Sequence, residues 1–296
     1  MTQLNNIRHP YIRMPDIRKS QLETPEVTLY YTVRGSGPML MILQGGAGNA
    51  DGSEALANEL ASDFTVVTYD RRGLSRSTPI RAERYEIATH ADDVARLINT
   101  LSREPAFIWG SSLGALIGVE VAARHPGVVR LLIAHEPGLY ALLEGGERDE
   151  ALRGHMEAIE TFQREGMPAA MKLMLARSGT DMNDPEAEIP ASSVSNSDPQ
   201  AMQEHFANLR HFLTYDVPAV TRYQPDVAAV NAVRSRIVPA IGSATSPSVL
   251  PYRCTVALAR VLNRVPVEFP GGHTAYMLRP KAVAQRMRDL LQSEGC

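Results

Sequence analysis

Gly110-Ser111-Ser112-Leu113-Gly114 is the segment of this sequence best suited to covalent chemistry. It follows a short apolar stretch, Ala106 to Trp109, and opens an alanine- and valine-rich stretch, Ala115 to Arg124. That spacing predicts a strand, a tight turn and a helix, the context in which a serine is presented as a nucleophile. Ser112 would hold a strained backbone at the tip of the turn, while Gly110 and Gly114 let strand and helix pack closely. The helix N-terminus would stabilise a developing negative charge. Ser111 lies one place early and is expected to point elsewhere.

A serine nucleophile needs a base, and the sequence offers eight histidines. His273 follows the last expected strand in FPGGHTAY, which puts it at the carboxyl edge of a parallel sheet, where active sites of such sheets gather. His90, His125, His155, His205 and His211 fall within or at the ends of expected helices, and His9 stands in an N-terminal arm. The base in turn needs an orienting acid. The loop after the strand Ile237 to Ile241 reads GSATSPS and has no carboxylate; indeed none occurs in the 41 residues from 227 to 267. Glu136, after the preceding strand in IAHEP, can reach the same imidazole, because such a triad is defined by geometry and not by chain position. Asp226 is the fallback, although it precedes its strand. The oxyanion hole needs two backbone N–H groups, expected from Leu113 and, in the loop Gln44-Gly45-Gly46-Ala47, from Gly46.

The elements that must hold these residues follow from hydrophobic pattern. Glu26 to Arg34 reads as a strand and Met39 to Leu43 as a short, fully buried one. Helices at Ser53 to Ser62, Ile87 to Leu101 and Ala115 to Arg124 alternate with strands at Phe64 to Tyr69, Ala106 to Trp109 and Val128 to Ala134. Short apolar strands alternating with helices predict a parallel sheet covered on both faces. From Leu139 to Ala232 the alternation stops: helices are expected over 150–176 and 199–213, around a Ser/Asn/Asp/Pro-rich stretch from Ser178 to Pro199. It resumes with Ile237 to Ile241, helix Pro251 to Leu262, Pro266 to Phe269 and helix Pro280 to Gln292. The expected organisation is an arm at 1–22, one α/β core from 23–138 and 233–296, and a helical cap at 139–232. Tyr140, Phe212, Tyr215 and Tyr223, with the methionines of that segment, are the candidates for lining an apolar pocket mouth.

Composition sets outer limits. With 33 acidic and 30 basic residues the net charge is −3 and nothing draws the chain towards nucleic acid or anionic lipid. Two cysteines cannot build a disulfide framework, and neither cysteines nor histidines show metal-ligand spacing, so no metal or cofactor is expected. No apolar run approaches a membrane span, and the proline-punctuated N-terminus lacks the core of a signal peptide. The expectation is a cytoplasmic protein acting on a small molecule, without nucleic-acid or membrane partners, and with homodimerisation left open.

On these residues the chain resembles an α/β-hydrolase over nearly its whole length. The resemblance rests on YDRRGLSRS (Tyr69 to Ser77), on GSSLG and on the Pro-Gly-Gly-His run at 270–273. It implies a mostly parallel central sheet, helices on both faces and a helical cap before the last two strands. HEPGLYALL (His135 to Leu143) is similar to a subgroup whose triad acid follows the sixth strand, the zearalenone lactone hydrolases. Their Ser-Glu-His triad maps onto Ser112, Glu136 and His273, and the end of their cap is echoed in RHFLTYDVPAVTRYQPDV. The sequence departs from the superfamily in Gln44-Gly45, where His-Gly is frequent, and in its arm. The implied activity is ester or lactone hydrolysis through an acyl-enzyme. A hydroxynitrile-lyase-like reaction, acyl transfer and a slow-turnover receptor on the same scaffold are the alternatives; a dehalogenase or epoxide hydrolase would carry aspartate at position 112.

Overall fold

A computed structural model of the chain describes residues 16–77, 85–180, 184–189 and 198–294. Eight strands form one sheet: β1 (Arg18–Glu23), β2 (Thr28–Arg34), β3 (Met39–Leu43), β4 (Thr65–Tyr69), β5 (Ala106–Ser111), β6 (Val129–His135), β7 (Ile237–Gly242) and β8 (Val267–Phe269). Their order is β1-β2-β4-β3-β5-β6-β7-β8, with β1 and β2 antiparallel to their neighbours and the other pairings parallel.

The parallel strands are apolar throughout because both faces are covered. In β3, Met39, Met41 and Leu43 enter one core while Leu40 and Ile42 enter the other. In β5, Ala106 and Ile108 divide from Phe107 and Trp109 in the same way. The first face is packed by α2 (Ile87–Leu101) and α3 (Leu113–Arg124); the second is packed by α1 (Glu54–Leu60) and by residues of a later helix that includes Val283 and Met287.

Between β6 and β7 lie α4 (Gly145–Glu165), α5 (Met167–Ser178), α6 (Pro199–His211), a π-helical turn (Phe212–Asp216), α7 (Val217–Arg222) and α8 (Val227–Ala232). After β7 come α9 (Leu250–Leu262), α10 (Ala275–Leu278) and α11 (Pro280–Ser293). The single helix expected over 150–176 is two, because Gly166 adopts φ +88° and Pro168 opens the next helix.

One expectation needs correction. Residues 18–22, read as part of an arm, belong to β1, which pairs with β2 from Arg18↔Val33 to Glu23↔Thr28. Its sequence RKSQLE is exposed at nearly every position, so it has no apolar pattern to announce it. Charged residues on an exposed edge strand also discourage pairing with other chains. Residues 1–15 of the arm, Met182, half of the Ser178–Pro199 stretch and Cys296 lie outside the described residues. Among the described residues no helix is long and apolar enough to cross a membrane.

Candidate active site

The sheet order places the carboxyl ends of β5, β6, β7 and β8 side by side, and the residues with chemical potential sit along that edge. Ser112 joins β5 to α3 with φ 54° and ψ −115°, a conformation that costs a non-glycine residue energy and persists only where its surroundings impose it. Its N–H donates to the His135 carbonyl at 2.9 Å, and its own carbonyl accepts from Leu116 at 3.0 Å. The glycines explain how the turn is so tight. A Cβ on Gly114 would lie 2.0 Å from the Leu43 carbonyl oxygen, and one on Gly110 would lie 2.7 Å from Ala115 Cα. Gly45 also passes close to the serine: a Cβ there would meet Ser112 Cβ at 3.0 Å.

Glu136 follows β6 with φ 49° and is fully buried. Its N–H donates to the Ala240 carbonyl at 3.0 Å. One carboxylate oxygen, Oε1, accepts from the Gly242 N–H at 2.8 Å; the other, Oε2, lies 2.7 Å from His273 Nδ1. Burial alone would raise this carboxyl, yet the hydrogen bond from His273 and the imidazoles of His135 and His273 outweigh it, and the group falls to about 2. Glu136 is therefore ionised at neutral pH. Its bond takes up Nδ1 of His273, so Nε2 is the ring nitrogen left to exchange a proton.

The loop that carries His273 is fixed to the loop after β7. Ser243 N–H donates to the Phe269 carbonyl at 2.8 Å and Ala244 N–H to the Gly271 carbonyl at 2.9 Å, with Gly271 at φ +77°. Asp226, the fallback acid, instead caps α8 by accepting from the Ala229 N–H at 3.0 Å.

On the other side of Ser112, Gly45 to Gly48 form a turn closed by the Gly48 N–H on the Gly45 carbonyl at 3.0 Å, with Gly46 at φ +47°. Leu113 is buried as the first residue of α3. Sequence reasoning missed the groups behind this loop. Arg71, buried, donates to the carbonyls of Gln44 (3.3 Å) and Gly46, and to Asp216 Oδ2 at 3.0 Å. Tyr276 packs there too; burial pushes its hydroxyl up to about 12, against a backbone hydrogen bond at Gly45. The only sequence signal for Arg71 was its place in YDRRG, and nothing singled out Asp216.

Of the aromatic candidates, Tyr140 begins a short 3-10 turn just beyond Glu136, half-buried, with its ring 4.5 Å from that of His155 on α4. Phe212 and Tyr215 lie on the π-helical turn, half-buried against the first core, and the Tyr215 ring is 5.4 Å from Tyr85. Tyr223 is engaged elsewhere: its hydroxyl donates to Glu120 Oε2 at 2.5 Å, two turns along α3 from Ser112. Cys254 is buried, which pushes its thiol up to about 12 and removes it as a nucleophile. Among the described residues no cluster of His, Cys, Asp and Glu could hold a metal ion. A cavity of about 660 Å³ lined by Arg18, Met39, Leu101 and Arg130 opens at the opposite, amino edge of the sheet, away from all of these groups.

Residues 38–280 match the family model of the alpha/beta hydrolase fold. The chain belongs to the α/β-hydrolase family. It is 38% identical over 283 residues to the uncharacterized hydrolase YraK of Bacillus subtilis (strain 168), covering 94% of this chain and 97% of that one. It is 30% identical over 241 residues to a 2-(acetamidomethylene)succinate hydrolase of Mesorhizobium japonicum, covering 78% and 83%. Among solved structures, a thermophilic esterase from Thermogutta terrifontis superposes with a TM-score of 0.70 at 22% identity over 94% of this chain and 100% of that one. Membership makes the chain a hydrolase on an eight-stranded, mostly parallel sheet.

Proposed function

We propose that this hydrolase cleaves a carboxylic ester or lactone of a small, fairly hydrophobic substrate through an acyl-enzyme. Ser112 Oγ attacks the carbonyl carbon while His273 Nε2 takes the hydroxyl proton; the oxyanion is held by the N–H groups of Leu113 and Gly46. Collapse of the tetrahedral intermediate expels the alkoxide, which receives the proton from His273. Water then adds to the acyl-enzyme by the same route and releases the carboxylic acid and free Ser112. Glu136 holds the imidazole and compensates its transient charge.

The observation that carries this reading is the 2.7 Å bond between a fully buried, ionised Glu136 and His273 at the same sheet edge as the strained Ser112 turn. A lone buried carboxylate is costly, and a second bond from Gly242 only partly relieves it, so orienting a base is a use that accounts for keeping it there. Residues 139–232 act as a cap, with Tyr140, Phe212 and Tyr215 facing the substrate and Tyr223 anchoring the cap to α3. The resemblance to zearalenone lactone hydrolases supports the inclusion of lactones. The relative named for 2-(acetamidomethylene)succinate adds an acetamido compound to the substrates worth assaying.

The test is a turnover screen of wild type and Ser112→Ala against aryl esters, macrolactones, cyanohydrins and that acetamido compound. Hydrolysis of an ester or lactone by wild type alone supports the proposal. Cyanohydrin cleavage without ester hydrolysis, or equal activity in Ser112→Ala, rejects it.

A further inference from the structure

Arg71 and Asp216 form an ion pair at 3.0 Å with both side chains essentially out of solvent, at 1% and 0% exposure. Burying two charges is costly even when they are paired, so the pair is poorly explained by stability alone. What it touches gives it a use. The two guanidinium nitrogens that reach beyond Asp216 end on the carbonyls of Gln44 and Gly46, the residues on either side of Gly45 in the loop beneath Ser112.

Planarity of the peptide makes those contacts directional. With the Gln44 carbonyl turned to Arg71, the Gly45 N–H must point the opposite way; with the Gly46 carbonyl turned to Arg71, so must the Ala47 N–H. Between them, the Gly45 carbonyl takes the Gly48 N–H, which turns the Gly46 N–H away from that bond. Close neighbours confine the loop at Gly45 and Gly48, where a Cβ would meet atoms at 3.0 and 2.9 Å, and leave Gly46 the loosest point. Three of its four residues from 45 to 48 are glycine, and a Cβ on Gly46 would meet nothing within 4 Å. With open space beside Gly46, the Arg71 bond to its carbonyl is a direct constraint on the Gly46–Ala47 peptide.

Arg71 can do this only while its charge is compensated, and the compensating carboxylate comes from the segment between β6 and β7. Asp216 closes the π-helical turn, an irregularity that often marks functional positions in helices. Its other oxygen accepts from Tyr85 Oη at 3.0 Å, and Tyr85 Oη also meets His211 Nε2 at 2.9 Å. His211 lies directly on Gly73, where a Cβ would come within 2.2 Å of the imidazole. The helical segment is thus docked on the core through the same carboxylate that holds the arginine.

We infer that Asp216 is a positioning residue for the oxyanion loop: by pairing with Arg71 it holds the Gln44 and Gly46 carbonyls, and so fixes the two peptides that flank the Gly45–Gly46 peptide whose N–H is offered to the oxyanion, so a docked cap and a competent oxyanion hole are one state. The inference rests on the serine-hydrolase reading above. It assigns the cap a part in transition-state binding, beyond covering the substrate.

The experiment compares wild type, Asp216→Asn and the double variant Arg71→Met/Asp216→Leu, using a p-nitrophenyl ester and a trifluoromethyl ketone with the same acyl group, which forms a hemiketal oxyanion on serine. Far-UV circular dichroism and melting establish folding; the double variant leaves no buried charge unpaired and protects against loss of fold. Both variants should lose about 10- to 100-fold in kcat with KM within about threefold, and affinity for the ketone should weaken by the same factor as kcat. A folded variant with wild-type kcat and ketone affinity overturns the inference, as does a parallel rise in KM that accounts for the whole loss. Failure of the underlying reading is separate: wild type would then show no Ser112-dependent ester hydrolysis and no covalent ketone adduct.

Discussion

His135 carries a stability cost that its replacement should expose. It is the last residue of β6, fully buried, stacked on Trp109 at 5.2 Å between ring centroids and edge-on to Phe269 at 6.1 Å. Neither ring nitrogen has a hydrogen-bond partner among the described residues. Burial lowers its pKa from 6.5 to about 4, with the His273 imidazole acting in the same direction and Glu136 opposing. The folded protein therefore holds this ring neutral where the unfolded chain would protonate it. Below pH 6.5 the unfolded state binds the extra proton, so stability falls as pH drops from 6.5 towards 4 and levels off below that. At pH 4.5 the loss from this one residue is on the order of 2–3 kcal/mol, equivalent to roughly 5 °C in melting temperature for a chain of this size. His135→Phe keeps an aromatic ring between Trp109 and Phe269 and removes both the titration and two unsatisfied polar atoms. Melting curves from pH 7.5 to 4.5 should show the variant at least as stable as wild type at pH 7.5 and about 5 °C ahead of it at pH 4.5. A constant difference between the two proteins across that range would refute the reasoning, because it would mean the imidazole titrates alike in folded and unfolded chains.

Other substitutions test the site's construction. Gly114→Ala should cost about 3 kcal/mol or more, because the new methyl meets backbone on the facing strand; Gly127→Ala, with nothing within 4 Å, is the control and should melt like wild type. Tyr223→Phe should lower stability by about 1–2 kcal/mol through loss of the bond to Glu120 while leaving kcat near wild type; a large fall in kcat would return Tyr223 to the pocket. Glu136→Gln should fold, because the amide oxygen can still accept from Gly242, but its NH2 would then face His273 Nδ1 and favour the wrong tautomer. A loss of about 10³- to 10⁴-fold in kcat is expected, and near-normal turnover would point to another acid.

How far the site could be read from sequence depended on the kind of constraint. Ser112 was legible because GxSxG stood between an unambiguous apolar strand and a helix, and the glycines it needs are demanded by contacts as close as 2.0 Å. Glu136 was legible by elimination, through the 41 residues without a carboxylate, and the structure puts its carboxylate 2.7 Å from His273. The doubly covered strands declared themselves as apolar runs. β1 did not, because an exposed edge strand owes its pairing to backbone hydrogen bonds that any side chains allow. Arg71 and Asp216 were illegible for a related reason: they are 145 positions apart, and a buried ion pair between two charged residues has no local signature. Tyr223 shows the converse hazard, since an aromatic near the end of the helical segment between β6 and β7 is as suited to anchoring as to lining.

The measurement that reaches the central claim most directly is intact-protein and peptide mass spectrometry of the enzyme quenched during turnover of a p-nitrophenyl ester. Because p-nitrophenolate leaves readily, acylation is expected to outpace deacylation, and the mechanism then predicts a transient mass increase equal to the acyl group, carried by the peptide containing Ser112 and absent in Ser112→Ala, with release of p-nitrophenol in a burst of up to one equivalent. Turnover with no adduct at any time, or an adduct on another residue that persists in Ser112→Ala, would contradict it.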